Sequence, residues 1–221
     1  MNFIEDITRA YAEKASPDNA VAMAKYMKNL FRFYGLKTDI RRGIFKAMLD
    51  KHKDEIKENA REIALQLYAK TERELHYTAI EILLKELKKN FLKEDIVLIE
   101  KLVVTNPWWD SVDTIAKYLV GGYLQQYPDE AVKVIDRFSA SGNIWLNRCA
   151  ILFQLGYKKD TDAALLFGEC EKHRHSKEFF IQKAIGWALR EYAKTDAEAV
   201  KKFVTTANLK PLSTREALKN I

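Results

Sequence analysis

Arg148-Cys149-Ala150-Ile151 belongs to a set of four related stretches, with His76-Tyr77-Thr78-Ala79-Ile80, Asp113-Thr114-Ile115-Ala116-Lys117 and Gln182-Lys183-Ala184-Ile185. Their alanines, at 79, 116, 150 and 184, lie 37, 34 and 34 residues apart. Each alanine falls in the expected second helix of a helix pair, where a small side chain lets neighbouring helices approach. Spacing of this kind, with apolar residues around each alanine, predicts stacked helix pairs. An irregular helical bundle is the alternative.

The rest of the chain agrees with an all-α reading. Of 221 residues only eight are glycine and four are proline, and no strand-like alternation persists. Ser16-Pro17 and Asn106-Pro107 each place a cap residue before a proline suited to the first helical position. Thr71-Glu72-Arg73-Glu74, Thr195-Asp196-Ala197-Glu198 and Ser213-Thr214-Arg215-Glu216 fit the capping-box pattern. Gly35, Gly142 and Gly156 sit where helices should stop. The expectation is a curved α-solenoid of about a dozen helices, with residues 1–221 forming a single repeat domain. Its second helices would line the concave side.

Composition removes several function classes. Hydrophobic residues make up 48% of the chain, too many for a disordered segment. Met1-Asn2-Phe3-Ile4-Glu5-Asp6 lacks the basic and apolar regions of a signal peptide, and no run has the length of a membrane-spanning helix. Cys149 and Cys170 lack metal-like spacing and read as reduced core thiols of a cytoplasmic protein. His52, His76, His173 and His175 share no helix face with ligand spacing, so no metal or cofactor is expected. A Gly-rich phosphate loop, a nucleophile elbow and a Cys-His arrangement are all missing from the sequence. The net charge of +6 permits nucleic-acid binding without demonstrating it.

Against that background Val104-Thr105-Asn106-Pro107-Trp108-Trp109-Asp110-Ser111-Val112-Asp113 stands out. Trp109 and Asp113 are four apart and share a helix face. An aromatic plate beside a carboxylate can hold a cation. Trp108 points about 100° away and reads as packing. Arg148 admits two readings: a buried partner for an aspartate, or a phosphate clamp for which the planar guanidinium is suited. Trp187, beside Gly186, admits core or ligand contact. Lys25, Arg41, Arg42, Lys177, Lys183 and Arg190, with Tyr26, Phe179 and Phe180 interleaved, could form a groove for a DNA backbone or a solvated helix surface.

These residues resemble the AlkD family of DNA alkylation repair glycosylases over almost the whole chain. The similarity is strongest in Met23-Ala24-Lys25-Tyr26-Met27-Lys28-Asn29, in Trp108 to Asp113, in Asn143 to Leu155 and in Ser176 to Trp187. It implies a HEAT-like solenoid with a positively charged face for duplex DNA, and excision of cationic N3- and N7-alkylated purines. The substrates would include 3-methyladenine and 7-methylguanine, with bulky cationic adducts tolerated. It also implies the catalytic set Asp113, Trp109, Trp187 and Arg148, and DNA contacts from Tyr26 and the basic residues above. Strand cleavage and base flipping would be absent. The partner would be double-stranded DNA containing alkylated bases, acted on by a monomer with no obligate protein partner. The N-terminal residues diverge from the family, and the chain stops at Ile221, short of the family's tail. The competing readings are a non-catalytic protein for damaged or branched DNA and a protein-binding scaffold.

Overall fold

A computed structural model describes residues 2–220. The described residues are all-α, as a helical repeat protein requires, and fall into two compact units, 1–90 and 91–221.

The first unit holds α1 (Phe3–Glu13), α2 (Pro17–Tyr26), α3 (Thr38–Lys51), α4 (Lys53–Tyr68) and α5 (Arg73–Glu86). Asn2 starts α1 by a capping box: its side chain accepts from the Glu5 N–H, and the Glu5 carboxylate accepts from the Asn2 N–H. Helix α1 packs on α3 and α4, and α4 packs on α5. Phe3, Ile7, Tyr11, Leu67, Leu75 and Leu83 are fully buried there, and removal of that apolar surface from water drives the packing. Helix α2 buries none of its residues.

The second unit holds α6 (Asp95–Val104) and a long helical run made of α7 (Trp109–Thr114), a π-helical segment (Ile115–Val120) and α8 (Gly121–Gln126). It continues with α9 (Ala131–Ser139), α10 (Ile144–Leu152), α11 (Ala163–His173), α12 (Phe179–Ala193), α13 (Ala197–Thr206) and α14 (Pro211–Ala217). Three of the expected second helices form a row, in which α7 and the π segment pack on α10 and α10 on α12, and α14 extends the row by packing on α12. Helices α9 and α11 pack against α10, while α11 and α13 pack against α12, so the pairs form two layers. Ala79, Ala116, Ala150 and Ala184 are all buried, consistent with small residues set where helices approach closely. Asn143 caps α10 by accepting from the Trp145 and Leu146 N–H groups.

Several boundary expectations fail for physical reasons. Asn106 adopts a positive φ of 47° and α7 starts only at Trp109, so Asn106-Pro107 is a loop before the helix. The Thr71 box does not form. Glu74 instead accepts from the backbone N–H groups of Tyr34, Gly35 and Leu36 at 3.1, 2.9 and 3.1 Å. Asp196, not Thr195, caps α13. Pro211 sets the start of α14, which leaves Ser213 inside the helix, where its hydroxyl donates to the Gln182 carbonyl at 3.0 Å. Gly35 lies in the loop after α2, well past its end. Its φ of 85° excludes other residues there, and a side chain would strike the Ser16 carbonyl.

No helix among the described residues is long and apolar enough to cross a membrane. Cys149 and Cys170 are free and fully buried, and burial pushes both thiols well above the ordinary range.

Candidate active site

Three successive second helices of the second unit meet at one guanidinium. Arg148 of α10 donates from Nε to Oδ1 of Asp113 at 2.7 Å and from Nη2 to Oδ2 at 2.9 Å. Its Nη1 donates to the Phe180 carbonyl at the start of α12. The carboxylate comes from α7, so one planar cation ties α7, α10 and α12 together. The guanidinium also lies over the Phe180 ring, 5.9 Å from its centroid.

Of the two readings of Arg148, the geometry gives the aspartate partner. Its side chain is 5% exposed and that of Asp113 is 16% exposed. Of the pair, the carboxylate is thus the more exposed to solvent and the guanidinium the more deeply buried. Each carboxylate oxygen accepts one bond from Arg148 and keeps further lone-pair capacity. Burial pushes the Asp113 carboxyl above the ordinary aspartate range; the bond and charge of Arg148 oppose it, and Asp110 adds to the upward push.

Trp109 and Trp187 are both half-buried. Trp109 stands one turn before Asp113 on α7. Trp187 is seven residues after Phe180 on α12, which puts it on the same helix face roughly 10 Å further along. Trp108 packs with its ring 5.6 Å from that of Trp145 and 5.0 Å from that of Phe180, as expected of a packing residue. The 250 Å³ cavity lined by Ile151, Leu155, Leu166, Ala188 and Tyr192 includes none of the four residues predicted to be catalytic.

The predicted DNA-contacting residues divide by unit and by availability. In the first unit Lys25 and Tyr26 are exposed at the end of α2, and Arg42 is 65% exposed. Arg41 is a different case. It is buried, donating to both Glu81 oxygens at 2.8 and 2.7 Å, so its guanidinium does not face solvent. In the second unit Lys177 is exposed just before α12. Lys183 and Arg190 both pair with Glu216 of α14, at 3.0 and 3.1 Å. Sequence reasoning missed the Phe180 carbonyl, which carries no side-chain signal. It also missed Glu216, whose pattern suggested only a capping box.

Residues 7–221 match a protein family described as DNA alkylation repair enzyme. No curated protein matches the chain. Among solved structures, one described as a predicted DNA alkylation repair enzyme from Enterococcus faecalis is 34% identical. That match covers 94% of this chain and 96% of the other, with a TM-score of 0.86.

Proposed function

The chain belongs to the DNA alkylation repair enzyme family, and from that premise we propose that it is a monofunctional DNA glycosylase for positively charged N3- and N7-alkylated purines in duplex DNA. The observation that carries the proposal is the carboxylate of Asp113, held at both oxygens by Arg148 and still partly exposed to solvent.

Alkylation at N3 or N7 gives the purine a formal positive charge. Heterolysis of the glycosidic bond returns that electron pair to the base, which departs neutral, so no general acid is needed. The deoxyribose left behind is oxocarbenium-like. Asp113 stabilises that cation and accepts a hydrogen bond from the attacking water, whose proton passes to the carboxylate as the C1′–O bond forms. Because Asp113 is fixed before the substrate arrives, little reorganisation accompanies charge development. Trp109 and Trp187 offer π faces to the cationic sugar and lesion, each contact contributing roughly 0.5–2 kcal/mol according to desolvation. Arg148 acts through Asp113, orienting the carboxylate and favouring its ionised form.

Selectivity would come from the lesion's own charge. The lesion would remain stacked in the duplex, in contrast to enzymes that flip their target into a pocket. Bulky cationic adducts would then be accepted and neutral lesions released poorly.

The test is a duplex carrying N7-methylguanine, incubated with the protein and cleaved with alkali at abasic sites. Strand breaks at the lesion are the expected result. An intact strand after long incubation with wild-type protein would end the glycosylase reading.

A further inference from the structure

Helix α14 approaches the Trp187 helix more closely than a side chain would allow. A Cβ on Gly186 would lie 2.3 Å from Glu216 Cβ and 2.9 Å from the Ser213 carbonyl. Ser213 and Ala217 are fully buried at this contact. Glu216 is thereby seated over α12, with Lys183 Nζ on Oε1 at 3.0 Å and Arg190 Nη1 on Oε2 at 3.1 Å. Arg190 also donates to the Glu216 backbone carbonyl. The bond from Lys183 and then that from Arg190 hold the Glu216 carboxyl below the usual glutamate range, against the effect of burial.

Trp187 lies between the two cations, four residues after Lys183 and three before Arg190. On a helix those offsets put all three on one side. The side chains of Lys183 and Arg190 remain 37% and 27% exposed, whereas that of Glu216 is 15% exposed. Two cations beside the tryptophan are thus reachable from solvent while their shared counterion is fixed beneath them.

We propose that Glu216 competes with DNA backbone phosphates for Lys183 and Arg190, restraining the affinity of the Trp187 helix for undamaged duplex. This rests on the reading of α12 as a DNA-facing helix. In the free protein the cluster holds two positive charges and one negative. A docked phosphate would take over donors that Glu216 now satisfies. Each phosphate bound this way displaces an ion pair within the protein, so non-specific binding is weaker than two free cations would give.

The substitution Glu216→Gln keeps the packing against Gly186 and removes the charge. Affinity for an undamaged duplex is measured from about 50 to 200 mM salt, where each additional neutralised phosphate steepens the log–log slope by about 0.9. The expected result is tighter binding at low salt and a slope steeper by about 1 to 2. Adding Lys183→Ala and Arg190→Ala to Glu216→Gln should flatten the slope to the wild-type value or below. An unchanged slope in a Glu216→Gln protein that melts like wild type overturns the proposal. If that variant melts early, the Lys183→Ala, Arg190→Ala protein with Glu216 intact decides: a slope flatter than wild type by less than about 1 supports competition by Glu216, and one flatter by about 2 overturns it, because both cations then bind phosphate as though unpaired. Undamaged DNA is the probe, so failure of base release by wild type would count against the glycosylase function and leave this measurement standing.

Discussion

Two arginine–carboxylate forks, one in each unit, are near copies in geometry and opposite in electrostatic outcome. Arg41 grips Glu81 at 2.8 and 2.7 Å, and Arg148 grips Asp113 at 2.7 and 2.9 Å. Both guanidinium side chains are 5% exposed, and the carboxylates are 20% and 16% exposed. At Glu81 burial acts upward, yet the bonds and charges of Arg41 and Arg42 outweigh it, and the carboxyl sits below the ordinary glutamate range. At Asp113 burial wins over Arg148, helped by Asp110, and the carboxyl sits above the ordinary aspartate range. The fork itself does not decide the outcome. At Asp113 burial is the largest effect and Asp110 the smallest, whereas at Glu81 the second cation, Arg42, adds to Arg41 and together they outweigh burial.

The comparison breaks most sharply on activity. Asp113→Asn should lower release of N7-methylguanine by at least about 10²-fold, whereas Glu81→Gln should leave the single-turnover rate within a few-fold of wild type. Equal losses in the two variants would erase the distinction.

Stability comes next. Arg148→Ala strands a largely buried carboxylate and should cost about 3–5 kcal/mol. Arg41→Ala leaves Glu81 with Arg42 and should cost about 1–3 kcal/mol. Urea denaturation of the two variants gives the difference directly.

The pH dependences should run in opposite senses. A raised Asp113 favours the fold in its protonated form, so its contribution to stability is full below the free aspartate value and fades as pH rises through the folded value. A lowered Glu81 favours the fold when ionised, so its contribution is full above the free glutamate value and fades as pH falls through the folded value. The proposed mechanism uses ionised Asp113, so the rate should drop in acid with a midpoint above the ordinary aspartate range, in Glu81→Gln as in wild type. Single-turnover rates across mildly acidic pH measure that midpoint, and one at the ordinary aspartate value would remove the contrast.

The smallest effect is the finest test. Arg42 is 65% exposed, and Arg42→Ala should cost less than about 1 kcal/mol. It should nevertheless move the Glu81 carboxyl upward, toward the behaviour of Asp113. Side-chain carboxyl titration by NMR would show no movement if the second cation were irrelevant.

The repeat was readable because Ala79, Ala116, Ala150 and Ala184 recur at near-regular spacing, and all four are buried between packed helices. That Trp109 and Asp113 share a face of one helix was readable from helix periodicity, and both lie on α7. The role of Arg148 was not, because a planar guanidinium suits a phosphate and a buried carboxylate equally; only the position of Asp113 across the α7–α10 contact decides between them. The burial of Arg41 and the exposure of Arg42 were invisible for a related reason, since adjacent residues point to different sides and the sequence does not say which side is covered. Ser213 and Glu216 fit a capping pattern, but Pro211 had already started the helix, which freed both side chains for contacts with α12.

The π-helical segment Ile115–Val120 has a consequence for how this helix can change length. Such a segment closes i to i+5 bonds and accommodates a residue that a regular α-helix would not. Behind it Gly121 is locked, with its carbonyl accepting from the Tyr157 hydroxyl at 2.6 Å and a Cβ there 2.5 Å from the Phe153 carbonyl. Because the wider turn absorbs the extra residue, deleting it would restore a regular ladder and leave Trp109 and Asp113 close to their present bearing relative to that anchor. A residue lost from the regular turns of α7 would instead turn everything upstream of the gap by about 100°. Residues 115–120 thus act as slack in the helix, so a single-codon gap there should disturb the site far less than one a turn earlier.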